Sequence, residues 1–104
     1  MSRISPSAAR NLYLVSYDIS NNKLRRKLEK TLKNHGQRIQ KSVFLCALAA
    51  EQLNALNTTL RCLLSLLSVL QESGDSIVIS GPFKEKNVNF LLGNPCVVQS
   101  HVIY

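Results

Sequence analysis

The chain has 104 residues, 45% of them apolar, and a formal net charge of +7 from 13 Lys and Arg against six Asp and Glu. That suffices for one compact domain with a single core. Three widely spaced cysteines (Cys46, Cys62, Cys96), with no CxxC pair and no histidine at zinc-ligand spacing, indicate neither a disulfide framework nor a structural zinc site. They are expected to be reduced thiols in a cytoplasmic protein. Residues 1–11 carry Arg3 and Arg10 but no apolar stretch of the secretory kind, and read as a flexible leader.

Residues 12–19 are rich in Tyr, Leu, Val and Ile and predict a first, mostly buried strand. Ser20, Asn21 and Asn22 are all helix-starting residues; Leu24, Leu28 and Leu32 then recur four apart before Gly36 supplies a stop. Residues 37–48 are β-rich, and are either one bent strand or two short ones hinged near Lys41 and Ser42. A second helix is predicted from about Ala50 to Gln71 by leucines at helical spacing. Its most hydrophobic window, residues 60–70, is 11 residues long and contains Arg61, short of the ~20 apolar residues a membrane span needs, so no membrane partner is expected. Residues 76–80 predict a short strand stopped by Gly81 and Pro82, and residues 96–104 are β-like again.

The element order matches a ferredoxin-like α+β sandwich, with two helices on one face of an antiparallel sheet. The core is expected over residues 12–81, followed by a tail, 82–104, that carries a dimerising or partner-binding strand. With no third helix, the second sheet face needs a cover, and self-association through that strand would provide it.

Charge is concentrated. Eight of the 13 basic residues (Lys23, Arg25, Arg26, Lys27, Lys30, Lys33, Arg38, Lys41) fall between positions 23 and 41, where Glu29 is the only acid. Such a block favours a polyanion. At 100° per residue, Lys23, Arg26, Lys27, Lys30 and Lys33 gather on the side of the first helix opposite the leucines and form the candidate phosphate-contacting face. Arg25 lies at the border of the leucine stripe beside Glu29, where an i,i+4 ion pair competes with a nucleic-acid contact. Asp18 is the only acid before Glu29. It is either an electrostatic cap for the first helix or a ligand for a hard cation. His35 is expected to favour the helix C-terminus, Tyr13 and Tyr17 to pack in the core or make a sheet-face contact rather than stack on bases, and Phe44 to pack in the core.

The residues "YLVSYDI", Lys23, Arg25, Leu28, Leu32, Gly36, "RIQ" and "SVF" together resemble the Cas endoribonuclease family, the small universal CRISPR-associated proteins that partner the integrase in spacer acquisition. The resemblance covers about positions 13–80. It implies a ferredoxin-like homodimer, magnesium-assisted endonuclease activity on DNA or RNA, and a bridging role with the integrase. It also implies Asp18 as the catalytic, metal-binding aspartate, Arg25 as the arginine of the first helix and Phe44 as the motif phenylalanine. Two positions depart from the family pattern: the turn reads Ser20-Asn21-Asn22 where acids are frequent, and Leu45 stands where an acid often follows the phenylalanine.

Three functions therefore compete. A metal-dependent phosphodiesterase requires Asp18, whereas a non-catalytic adaptor bridging integrase subunits requires the basic helices and the tail. A metabolite-binding regulatory domain of the same fold ranks third, because the basic block and the lack of a Gly-rich ligand loop argue against it.

Overall fold

The computed structural model describes residues 9–91. The strand expected over 96–104 and most of the leader lie outside the described residues. Four strands, β1 (Asn11–Asp18), β2 (Gln37–Gln40), β3 (Val43–Leu48) and β4 (Ser76–Phe83), form one antiparallel sheet in the order β2-β3-β1-β4. Two helices, α1 (Asn22–Lys33) and α2 (Ala50–Leu66), complete the ferredoxin-like arrangement.

Alternation along β1 divides its side chains between two environments. Tyr13, Val15 and Tyr17 join Phe44, Cys46 and Leu48 of β3 and the buried leucines Leu24, Leu28, Leu32, Leu56 and Leu60 of the helices in the main core. Each leucine of α1 is fully buried, a contribution of about 1.5–3 kcal/mol apiece. The predicted core roles of Tyr13, Tyr17 and Phe44 hold.

On the other face, Leu12, Leu45 and Ala47 form a smaller cluster, packed with Leu14, Ile39, Phe83, Val88 and Phe90. The chain itself thus supplies part of the cover that the sequence assigned wholly to self-association. Val88 and Phe90, just beyond β4, fold back over the sheet.

The β-rich stretch resolves into two strands. Ser42 turns the corner at φ 69°, and its carbonyl accepts a hydrogen bond from Tyr17 N at 3.1 Å. Two expected boundaries move. β4 runs through Gly81 and Pro82 to Phe83, because among the described residues it is an edge strand, where a proline is tolerated. An extra β4 residue is absorbed where Leu14 pairs with Ser80 but Leu12 with Phe83. Gly81, at φ 130°, supplies the backbone conformation that this irregularity needs.

The α-helical part of α2 ends at Leu66, not Gln71, and a 3-10 turn (Ser68–Leu70) follows. The tighter turn still brings Leu67 and Leu70 against the core, and Gln71 Nε2 donates to the Leu64 carbonyl at 2.8 Å, satisfying a helix-end acceptor. No helix among the described residues is long and apolar enough to cross a membrane.

Gly36 acts through proximity. A Cβ there would meet the Leu45 carbonyl oxygen and lie 2.9 Å from Cys46 Cα, so the α1–β2 connection presses directly on β3. Gly36→Ala should therefore cost about 1–3 kcal/mol of stability through overpacking, read as a lower urea midpoint at unchanged m-value.

Candidate functional site

Asp18 ends β1 one residue after buried Tyr17, so it projects to the sheet face opposite the helices and is exposed. Its backbone partner is Ser76, the first residue of β4. The β1–α1 turn beside it is held from three sides. Asn21 is the N-cap of α1, its Oδ1 accepting from Leu24 N at 3.0 Å. Arg25 Nη1 donates to the Ile19 carbonyl at 2.8 Å, and Nη2 donates to Asn22 Oδ1. Asp75, from the α2–β4 turn, accepts from Ser20 N at 3.1 Å and, through its other oxygen, from Glu72 N at 2.9 Å.

These contacts show which acceptors serve the turn, while an exposed Asp18 near the start of α1 still favours the helix N-terminus electrostatically. The turn amides find acceptors in Asn21 and Asp75, and among the described residues the Asp18 carboxylate has neither a hydrogen bond nor an ion pair. The bond from the Glu72 amide, with that from Ser20, holds the Asp75 carboxyl below its ordinary range. No motif in the sequence assigns Asp75 a role. Its signal is only an acid next to Gly74, and its link to Ser20 spans 55 positions.

The expected Arg25–Glu29 ion pair does not form. Arg25 is drawn into the turn by the Ile19 carbonyl, and Glu29 pairs with Arg38 of β2 at 2.8 Å. The same Glu29 oxygen accepts from Tyr17 OH at 2.6 Å, while the Arg38 guanidinium lies 5.7 Å from the Phe44 ring centroid. Burial, then the hydrogen bond to Glu29, pushes the Tyr17 phenol above its ordinary value. The one acid of the basic block is thereby spent on a contact joining β1, α1 and β2.

Lys23, Arg26, Lys27, Lys30 and Lys33 are all exposed on the outer side of α1. The helix has no acid in its first turn and Lys30 and Lys33 in its last. His35 lies where expected: its Nδ1 is 3.1 Å from the Thr31 carbonyl, a contact in which the ring nitrogen donates and the carbonyl accepts. Burial pushes the Cys46 thiol up to about 11, a value that keeps it protonated and unreactive.

No group of three or more His, Cys, Asp or Glu side chains able to hold a metal occurs among the described residues. Asp75 turns both oxygens to backbone amides, whereas the Asp18 carboxylate has no hydrogen-bond partner among the described residues. One exposed carboxylate fits a hard cation that keeps most of its water, not a cage built entirely by protein.

An antiparallel α+β sandwich with one open carboxylate at the end of its first strand and a cationic first helix is the class these features define. The model for the CRISPR associated protein Cas2 family matches residues 11–81, and the chain belongs to that family. It is 42% identical over 50 residues to the "CRISPR-associated endoribonuclease Cas2 3" of Synechocystis sp.; that match covers 48% of the chain and spans about half, 54%, of the relative. It is 37% identical over 73 residues to the "CRISPR-associated endonuclease Cas2" of Halalkalibacterium halodurans, covering 65% of the chain and 70% of the relative. Among solved structures, the hypothetical protein TT1823 from Thermus thermophilus superposes with a TM-score of 0.65 at 33% identity, covering 83% of this chain and 96% of that one. A crystal structure titled cas2 superposes at 0.58 with 26% identity, covering 81% and 86%. The family resemblance seen in the sequence is borne out, as is the fold.

Because the folded-state carboxyl of Asp75 titrates lower than an unfolded one, its contribution to stability is present above the unfolded value near 4 and lost as pH falls through the lower folded value. Asp75→Ala should therefore flatten the acid limb of a plot of Tm against pH between about 2 and 5. An acid limb identical to that of the parent would deny Asp75 this role.

Proposed function

We propose that this chain is a magnesium-dependent endonuclease of the endoribonuclease type that binds DNA or RNA as a homodimer and partners the CRISPR integrase. The observation that carries the reading is Asp18: an exposed carboxylate, without a hydrogen-bond partner among the described residues, at the strand end from which the basic helix departs. The names of the Synechocystis and Halalkalibacterium relatives support the nuclease class.

In this reading Asp18 is the catalytic and metal-binding residue. Bound magnesium would supply positive charge beside the scissile phosphate and lower the pKa of a coordinated water. Lys23, Arg26, Lys27, Lys30 and Lys33 hold the backbone without reading bases. Arg25 keeps the turn in shape through Ile19 and Asn22, with its remaining donors turned to phosphate. A two-fold axis near the end of β1 brings a second Asp18 to the site.

Asp18→Asn retains size and removes the charge. It should lower magnesium-dependent cleavage by about a hundredfold or more, the scale on which loss of one preorganised group slows an enzyme. Sedimentation and duplex binding should be unchanged. Cleavage equal to the parent's would discard the enzyme reading.

The second reading, a non-catalytic bridge between integrase subunits, is favoured by one observation: among the described residues no group of three or more His, Cys, Asp or Glu side chains could hold a metal ion. Both readings require the basic face. Reversing the charges of Lys23, Lys27 and Lys30 together should weaken binding to all sequences alike. It should also reduce the slope of log K against log salt by about 2–3, at ~0.9 for each phosphate no longer neutralised. An unaltered slope in an anisotropy titration would show that these residues are only solvated.

A further inference from the structure

At the end of α1 away from Asp18, the basic face runs into a groove of about 560 Å³. Arg10, Lys33 and His35 line it, with no acid among its lining residues. Three carboxamides, from Asn34, Gln37 and Gln52, also face it. Ala47, Leu48 and Ala55 contribute apolar surface. The volume falls within the roughly 300–1,000 Å³ of small-ligand sites. This composition differs from that of the α1 face, which offers only cations.

Two of these side chains have polar atoms already committed. His35 uses Nδ1 on the Thr31 carbonyl, leaving Nε2 as the ring's remaining polar atom. Gln52 accepts the Ala49 N–H through Oε1 at 2.8 Å, leaving its NH₂ as a donor. Gln37 and Asn34 keep carboxamides that both donate and accept, the capability needed to meet the edge of an unpaired base. Arg10 and Lys33 suit a phosphate.

We propose that this groove is a binding site for one nucleotide unit: phosphate at Arg10 and Lys33, base against Ala55, with its edge met by the carboxamides of Gln37 and Asn34. α1 is about 18 Å long, or roughly five base-pair steps of one strand. A duplex lying along α1 from the Asp18 end would therefore run out at the groove, where an unpaired terminal nucleotide could enter. This assignment to a strand end rests on the proposed role of the α1 face; the nucleotide site itself does not.

The test has two arms on the full-length chain. In the first, adenosine 5′-monophosphate, inorganic phosphate and adenosine are titrated separately while backbone amide shifts are followed by NMR. Adenosine 5′-monophosphate should move the amides of His35, Gln37, Leu48 and Gln52 and bind at least tenfold more tightly than either fragment. Arg10→Ala and Gln37→Ala, both at exposed positions, should each weaken it about tenfold. Shifts absent from the groove, or affinity untouched by both variants, would overturn the site.

In the second arm, blunt duplex is compared with the same duplex bearing a three-nucleotide overhang. Tighter binding of the overhang, abolished in the Arg10→Ala Gln37→Ala double variant with blunt-duplex affinity retained, supports the strand-end assignment. Nucleotide binding without an overhang preference supports a site for free nucleotide and overturns the strand-end assignment. Failure to bind blunt duplex at all would count against the α1 reading, while the first arm still decides the groove.

Discussion

Strand β1 is hydrogen-bonded along both edges, to β3 and to β4, and the rest of the molecule is organised by that central position. Pairing on both sides fixes its register, and a strand of fixed register sends alternate side chains to opposite faces. Tyr13, Val15 and Tyr17 are committed to the helices, and Leu12, Leu14, Ser16 and Asp18 to the other face. A slip of one residue would bury the Asp18 carboxylate among leucines, a cost of several kcal/mol for an unpaired charge. The exposure of Asp18 is therefore a consequence of the core pattern.

The electrostatics of α1 depend on where its single acid goes. Glu29 could have neutralised a neighbour on the helix surface. Instead it turns inward to Tyr17 OH and pairs with Arg38 of β2. With Arg38 44% exposed and Glu29 21%, the pair is partly screened and adds about 1 kcal/mol or less as an ion pair. Its larger effect is on charge distribution: five cations on the outer face of α1 remain without an acid among them. The contact also ties the helix to the strand that ends in Asp18, so the two parts of the proposed site share one mechanical connection.

The turn between them shows how little of such a corner is local. Asn21 is a helix cap that sequence could nominate, along with its neighbours Ser20 and Asn22. Asp75 performs the comparable service for Ser20 from 55 positions away, and Arg25 reaches back to Ile19 because the turn brings that carbonyl within 2.8 Å. None of these choices is dictated by propensity alone. Each reflects an unpaired backbone group that had to find a partner.

The element order, the leucine stripes of both helices, the core roles of Tyr17 and Phe44 and the basic concentration on α1 were legible because each is a periodic or compositional signal carried within one element. So was Asp18 as an isolated acid at a strand end. The course of β4 through Gly81 and Pro82 was not, because tolerance of proline there depends on β4 being an edge strand. The end of α2 at Leu66 was not, because a 3-10 turn keeps leucines on the core at a spacing close to the helical one. Nor were the partners of Glu29 and Arg25 or the groove beside His35 legible. Sequence by itself determined which faces are apolar and where charge accumulates, since those follow from residue order within an element; only the tertiary structure decided which polar group meets which, because that choice depends on distances between segments that periodicity does not encode.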